Sequence, residues 1–145
     1  MKNAINAAVL VVFKRGGTVL VGRRINTSYA DGLLCPPGGR VEAGEPFSSA
    51  AIREVLEEVG VVLKPADIKP AHIMYCRHVL GFEWIEAYFV VDSWDGEPVN
   101  NEQNKCAGLL WVPLNALPDD VVPEVIQGLR CIQDGVFYSE FFTAG

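Results

Sequence analysis

The segment from Gly39 to Val61, GRVEAGEPFSSAAIREVLEEVGV, constrains the chain most, because its residues fit a loop running into a helix with one acidic and one apolar face. Pro46 suits a first helical turn and Gly60 is a natural stop, so the spacing predicts a helix from Pro46 to Val59. Glu54, Glu57 and Glu58 stand at i, i+3 and i+4. At about 100° per residue their carboxylates project within roughly a third of the circumference. Ile52, Val55, Leu56 and Val59 would form the apolar stripe on the other face. Just upstream, Pro36-Pro37-Gly38-Gly39 makes a turn where backbone can approach a ligand closely.

Like charges at these spacings cost a helix roughly 0.2–0.5 kcal/mol per pair, so a convergent acidic cluster calls for a cation. Hard oxygen ligands select Mg2+, or Mn2+ in its place. An arbitrary acidic run usually just faces water. The glycine and proline punctuation on both sides of this one argues for a built site.

The segment also fits the pattern G-x5-E-x7-R-E-U-x-E-E-x-G-U, with U a bulky aliphatic residue. Gly39, Glu45, Arg53, Glu54, Val55, Glu57, Glu58, Gly60 and Val61 fill its fixed positions. In this the chain resembles the Nudix hydrolases. The resemblance implies a loop-helix-loop that binds a divalent metal and cleaves a diphosphate joined to another moiety, usually a nucleoside derivative. It implies Glu54, Glu57 and Glu58 as metal ligands, with the carbonyl of Gly38 as an added one. Glu45 and Arg53 would form a bracing salt bridge, and Gly39 and Gly60 would bound the motif.

The rest of the chain agrees with an enzyme of that size. With 145 residues and half of them apolar, residues 1–145 are expected to form a single domain with a proper core. A net charge of −6 would repel a nucleic-acid backbone and no Lys/Arg block offsets it, so no nucleic-acid polymer is expected as partner, while a small anion remains compatible. Cys35, Cys76, Cys106 and Cys131 lie far apart, with no C-x-x-C pair, and read as buried, reduced thiols. His72 and His78 read as strand packing or surface rather than metal ligands. The apolar run Ala4 to Phe13 after Lys2 reads as a buried strand, because Lys14-Arg15-Gly16-Gly17 follows with no cleavage site. No membrane association and a cytoplasmic location are therefore expected.

Strands are predicted at 5–13 and 18–24 around a Gly16-Gly17 turn, at 33–35, at 70–79 and 82–92 around Gly81, and at 109–112. A polar loop is expected at 99–107 and an amphipathic helix from Val121 to Gln133, capped by Asp119 or Asp120. Mixed strands with packed helices give an α/β (α+β) class. The resemblance makes this an α/β/α sandwich with a mixed β-sheet.

Two residues outside the motif are singled out. Arg24 ends a predicted strand, where nucleotide-cleaving relatives commonly keep a phosphate-binding base, and its fork of donors suits a phosphate. Alternation sends Arg23 to the opposite face. Glu102 lies in the loop where triphosphate-cleaving relatives supply one more acid near the metals, as a ligand or as a base for water. Glu97, beside a proline in a turn, is a weaker rival. Tyr29, Tyr75, Phe82, Trp84 and Tyr88 could stack on a base, although each singly reads as core.

The expected activity is Mg2+-dependent hydrolysis of a small-molecule nucleotide, resembling the MutT-like branch: a (d)NTP or modified (d)NTP to monophosphate and pyrophosphate. The general base is left open among Glu54, Glu57 and Glu102. ADP-ribose or nucleotide-sugar hydrolysis is the alternative within the class, and a non-catalytic nucleotide sensor the alternative outside it. Monomer and homodimer both stay open.

Overall fold

The structure is a computed structural model that describes residues 4–143. Lys2 and the two ends of the expected 1–145 domain lie outside the described residues. The strands are β1 (Asn6–Arg15), β2 (Thr18–Arg24), β3 (Leu34–Cys35), β4 (Gly38–Arg40), β5 (Lys69–Arg77), β6 (Glu83–Val91), β7 (Cys106–Pro113) and β8 (Tyr138–Phe142). The helices are α1 (Phe47–Val59) and α2 (Pro123–Gln133), with a 3-10 turn at Pro65–Asp67.

β1 explains the architecture. Its continuous apolar run is what a strand covered on both faces needs. Val9, Val11 and Phe13 join Ala50, Ala51, Val55 and Val59 of α1 in one core layer. Leu10 and Val12 join Val122, Val125 and Leu129 at α2 in the other. β1 runs parallel to β6, β6 antiparallel to β5, and β5 parallel to β8, so the sheet is mixed and the fold an α/β/α sandwich as expected.

β1 also splits the sheet. Ala8 to Leu10 pair with β4, whereas Lys14 and Arg15 pair with β2, after which β2 leaves to pair with β3 and β7. A sheet that divides along one strand leaves a cleft between its branches. The cavity described below is lined from both, by Gly22 and Arg24 of β2 and by Gly38 and Gly39 of β4.

Several expectations change. Leu56 is 49% exposed, and Ala50 and Ala51 take its place in the stripe. β7 begins at Cys106, because the backbone carbonyl of Cys106 accepts from Asn100 Nδ2 at 2.7 Å and Arg24 pairs opposite it, so the loop is shorter than 99–107. Neither Asp119 nor Asp120 caps α2. Val122 holds the N-cap position with no side-chain hydrogen bond, and Asp120 is drawn instead to Arg23 at 2.9 Å. The four cysteines are free but only partly buried. His72 is fully buried, between the carbonyl of Val136 at 2.8 Å and Ser139 Oγ at 2.7 Å, which is the packing role. Strand β8, unforeseen, adds the edge next to β5. Among the described residues no helix is long and apolar enough to cross a membrane.

Candidate active site

Pro46 stands at the N-cap of α1 in extended conformation, and Gly60 closes the helix at φ 72°, returning its N–H to Leu56 O. Only a residue at ease in the left-handed region serves there. Beyond Gly60 the chain folds back: Val99 N–H bonds Val59 O and Asn101 N–H bonds Glu58 O, each at 3.0 Å. Asn100 Oδ1 then receives the N–H of Glu102 at 3.1 Å. The loop that carries Glu102 is thus stapled to the last turn of α1, next to Glu58.

Arg53 organises the other end. Its Nε and Nη2 form a two-pronged contact with Glu45 at 2.7 and 2.9 Å, Nη1 reaches Glu54 at 2.9 Å and Glu57 at 3.5 Å, and Nη2 also donates to Arg40 O at 3.2 Å. Such a fork ties the loop after β4 to the helix. The guanidinium holds the Glu45 carboxyl down at about 2. Arg53→Ala is expected to lower both Tm and kcat, the latter about 10–100-fold, because a loosened loop misplaces the acids. Thermal melts beside steady-state kinetics check it; an unchanged Tm with only KM moved would make Arg53 a substrate contact.

The acids of α1 do not share one environment. Glu57 is exposed at the rim, whereas Glu54 and Glu58 turn inward. The Glu54 carboxylate lies so close over Gly39 that a Cβ there would stand 2.5 Å from it. Glu58 takes the Gly38 N–H on Oε2 at 3.0 Å. Burial, then the neighbouring Glu54 and Glu102, push the Glu58 carboxyl up to about 9, against the pull of Gly38. Burial also raises Glu54, with Arg53 opposing.

Among the described residues no three His, Cys, Asp or Glu side chains are already gathered round a common point, since Arg53 engages Glu54 and reaches Glu57. The donor set nonetheless fits a hard divalent cation: Glu54, Glu58 and Glu102 are oxygen donors, the charges of Glu54 and Glu102 both reach Glu58, and Gly39 leaves the room a side chain would fill.

Glu58 and Glu102 face a cavity of about 780 Å³ together with Gly38 and Arg24. Arg24 Nε donates to Tyr29 O at 3.2 Å, and its two terminal nitrogens have no partner among the described residues. Against the expected alternation Arg23 lines the cavity as well, where the β2–β7 register shifts between Gly22 and Arg24, but its Nη1 is held by Gly32 O and Asp120, each at 2.9 Å. Of the aromatics, Tyr88 is core, and Tyr75 packs edge-on against Phe142. Tyr29, Phe82 and Trp84 line the cavity, although Arg40 lies over the Trp84 ring at 5.2 Å. Glu97 is spent on Arg15 at 2.9 Å. Sequence reading missed Glu86 and Glu124, which line the same cavity from β6 and from the start of α2. Their only signal was an acid in the interior of a largely apolar strand and another inside an apolar helix face.

Known proteins agree with this geometry. The family model described as the NUDIX domain matches residues 2–130. The 8-oxo-dGTP diphosphatase of Escherichia coli is 29% identical over 121 residues, covering 82% of this chain and 88% of that protein. A NAD-capped RNA hydrolase NudC of Chromobacterium violaceum is 28% identical over 119 residues, covering 82% of this chain and 42% of that one. The crystal structure of a MutT NUDIX hydrolase from Burkholderia pseudomallei superposes with a TM-score of 0.80 at 23% identity, over 88% of this chain and 98% of that chain. With the motif, the fold and the family model in agreement, this chain belongs to the Nudix hydrolase family.

Proposed function

We propose that the chain is a divalent-metal-dependent nucleoside triphosphate pyrophosphohydrolase, releasing a nucleoside monophosphate and pyrophosphate. The observation that carries this reading is that Arg24, with free terminal donors, lines the same cavity as Glu58 and Glu102. A cation-seeking acid cluster and an unpaired guanidinium at one cavity suit a polyphosphate shared between them.

Glu54, Glu57, Glu58 and Glu102, with the Gly38 carbonyl, would hold Mg2+, or Mn2+ in its place. Bound there, the metal supplies neutralisation of the phosphate oxygens and a lowered pKa for an attacking water. Arg24 orients the phosphate chain through its planar fork. Arg53 keeps Glu54 aimed and Glu45 keeps Arg53 in place. Glu54, Glu57 and Glu102 are the candidates to take the proton of the water, and Gly39 lets Glu54 approach the backbone. The similarity to 8-oxo-dGTP diphosphatases supports a modified purine triphosphate among the substrates.

The test is release of pyrophosphate against phosphate across dNTPs, oxidised dNTPs, ADP-ribose and dinucleoside polyphosphates with Mg2+. Arg24→Ala is expected to lower kcat/KM on triphosphates by ~10–100-fold, the worth of a charge-assisted hydrogen bond of about 1.5–3 kcal/mol. A tenfold wild-type preference for ADP-ribose, with Arg24→Ala neutral on both substrates, would overturn the triphosphate reading and leave the broader diphosphate-hydrolase one.

A further inference from the structure

We propose that Glu86 and Glu124 form a base-reading pair that selects nucleotides whose base carries an exocyclic amino group, an inference that deepens the nucleotide reading above and rests on it. Both residues line the 780 Å³ cavity that also holds Arg24, Glu58 and Glu102, but neither belongs to the Gly39–Val61 motif. A cavity of this size accommodates a nucleotide-sized ligand.

The polar inventory of the pair is unfinished. Glu124 is 7% exposed, and its Oε1 accepts from the Tyr29 hydroxyl. Glu86 Oε1 accepts from Tyr88 Oη at 3.3 Å and Cys76 Sγ at 3.6 Å. On each carboxyl Oε2 has no partner among the described residues, and neither forms a salt bridge there. Among those residues no fully enclosed side-chain oxygen lacks a partner, so both Oε2 atoms border open space. A carboxylate buried without a cation is costly unless donors reach it. Placed at a cavity wall, it stands ready for a ligand that brings them.

An amino group fits best. Its N–H donates to Glu124, while the ring nitrogen or second N–H beside it meets Glu86. Burial, then the charge of Glu124, pushes the Glu86 carboxyl up to about 7, so near neutrality it can donate as well as accept. Uracil and thymine would instead present carbonyl oxygens to Glu124, which repels them. The competing reading makes Glu124 only a first-turn acid favouring the dipole of α2. That role affects stability and gives no base preference.

The experiment compares dGTP with dITP, which lacks the 2-amino group, and dCTP with dUTP, in which an oxygen replaces the 4-amino group. Wild type is expected to favour the amino-bearing member of at least one pair by about tenfold or more in kcat/KM. Glu124→Gln and Glu86→Gln are expected to lower kcat/KM for that member about tenfold more than for its counterpart. Equal wild-type rates within both pairs, or variants that lower every substrate alike, overturn the proposal. Calorimetry with GMP, IMP, CMP and UMP in the absence of metal separates the two readings. If no triphosphate is cleaved, the pyrophosphohydrolase reading falls, while a tenfold tighter hold on GMP than IMP, or on CMP than UMP, still supports the pair. Indifferent binding sinks it.

Discussion

Glu58→Gln is expected to cut turnover by more than about 100-fold and, in the same variant, to stabilise the metal-free protein at alkaline pH. Outer partners of metal ligands are already worth about 10–100-fold, and Glu58 is one of the proposed ligands themselves. The stability half follows from its environment. Burial beside Glu54 and Glu102 pushes the folded-state carboxyl up to about 9, whereas the unfolded chain releases that proton near the ordinary ~4.3. A raised carboxyl contributes its stability fully below the unfolded pKa and loses it as pH rises through the folded one. Between about pH 5 and 9 the metal-free wild type should therefore weaken progressively, while glutamine stays neutral throughout. The difference at pH 8 is of order 5 kcal/mol. Urea melts in a chelator at pH 5 and pH 8 measure it. Adding Mg2+ should stabilise the wild type and leave the variant almost unmoved, because only the former gains a bound ion. A variant no more stable than wild type at pH 8, or one that keeps its kcat, would remove Glu58 from the acid cluster.

This opposition between stability and activity explains why the motif was so legible in the sequence. Acids that repel one another, a helix stop at Gly60 and two glycines beside the acids are local features, fixed by spacing within a few turns of chain. β1 was legible for a related reason: a run such as Val9 to Phe13 has to be covered on both faces. What stayed hidden depends on partners far away in sequence. Asp120 reads as a helix cap until Arg23, on another strand, claims it at 2.9 Å. Leu56 belongs to an apolar pattern, yet α1 buries Ala50 and Ala51 in its first turns and leaves Leu56 exposed. β8 is a five-residue edge strand with exposed Tyr138 and Phe142, so neither face carries the strong alternation that marks a half-buried strand. Glu86 and Glu124 meet only because β6 and α2 border the same cleft, and nothing within either segment announces it.

Gly39→Ala and Gly38→Ala are expected to fail in different ways, which separates placement of the acids from assembly of the sheet. Neither glycine has a positive φ, so the argument concerns contact alone. At Gly39 a new Cβ would meet the Glu54 carboxyl carbon and Oε1 at 2.5 Å and Oε2 at 2.7 Å. That group ends a flexible side chain, which can swing aside at little cost to the fold. Arg53 Nη1 would then hold Glu54 differently, and a shift of about 1 Å in a positioned catalytic group can cost about 100-fold in rate. At Gly38 the Cβ would fall 2.0 Å from Val9 O and 3.0 Å from Leu10 Cα, both backbone atoms of β1 in the β1–β4 ladder. Backbone in a central strand cannot yield so easily, and the strain should cost about 1–3 kcal/mol or more. Gly39→Ala should therefore melt near the wild type with kcat down about 100-fold. Gly38→Ala should show a clearly lowered Tm, with any loss of activity tracking the unfolded fraction. Circular-dichroism melts with kcat measured well below each midpoint distinguish the two. A Gly39→Ala enzyme with wild-type kcat would mean that the position of Glu54 over the backbone does not matter to the chemistry, and the assignment of Glu54 as ligand or base would fall with it.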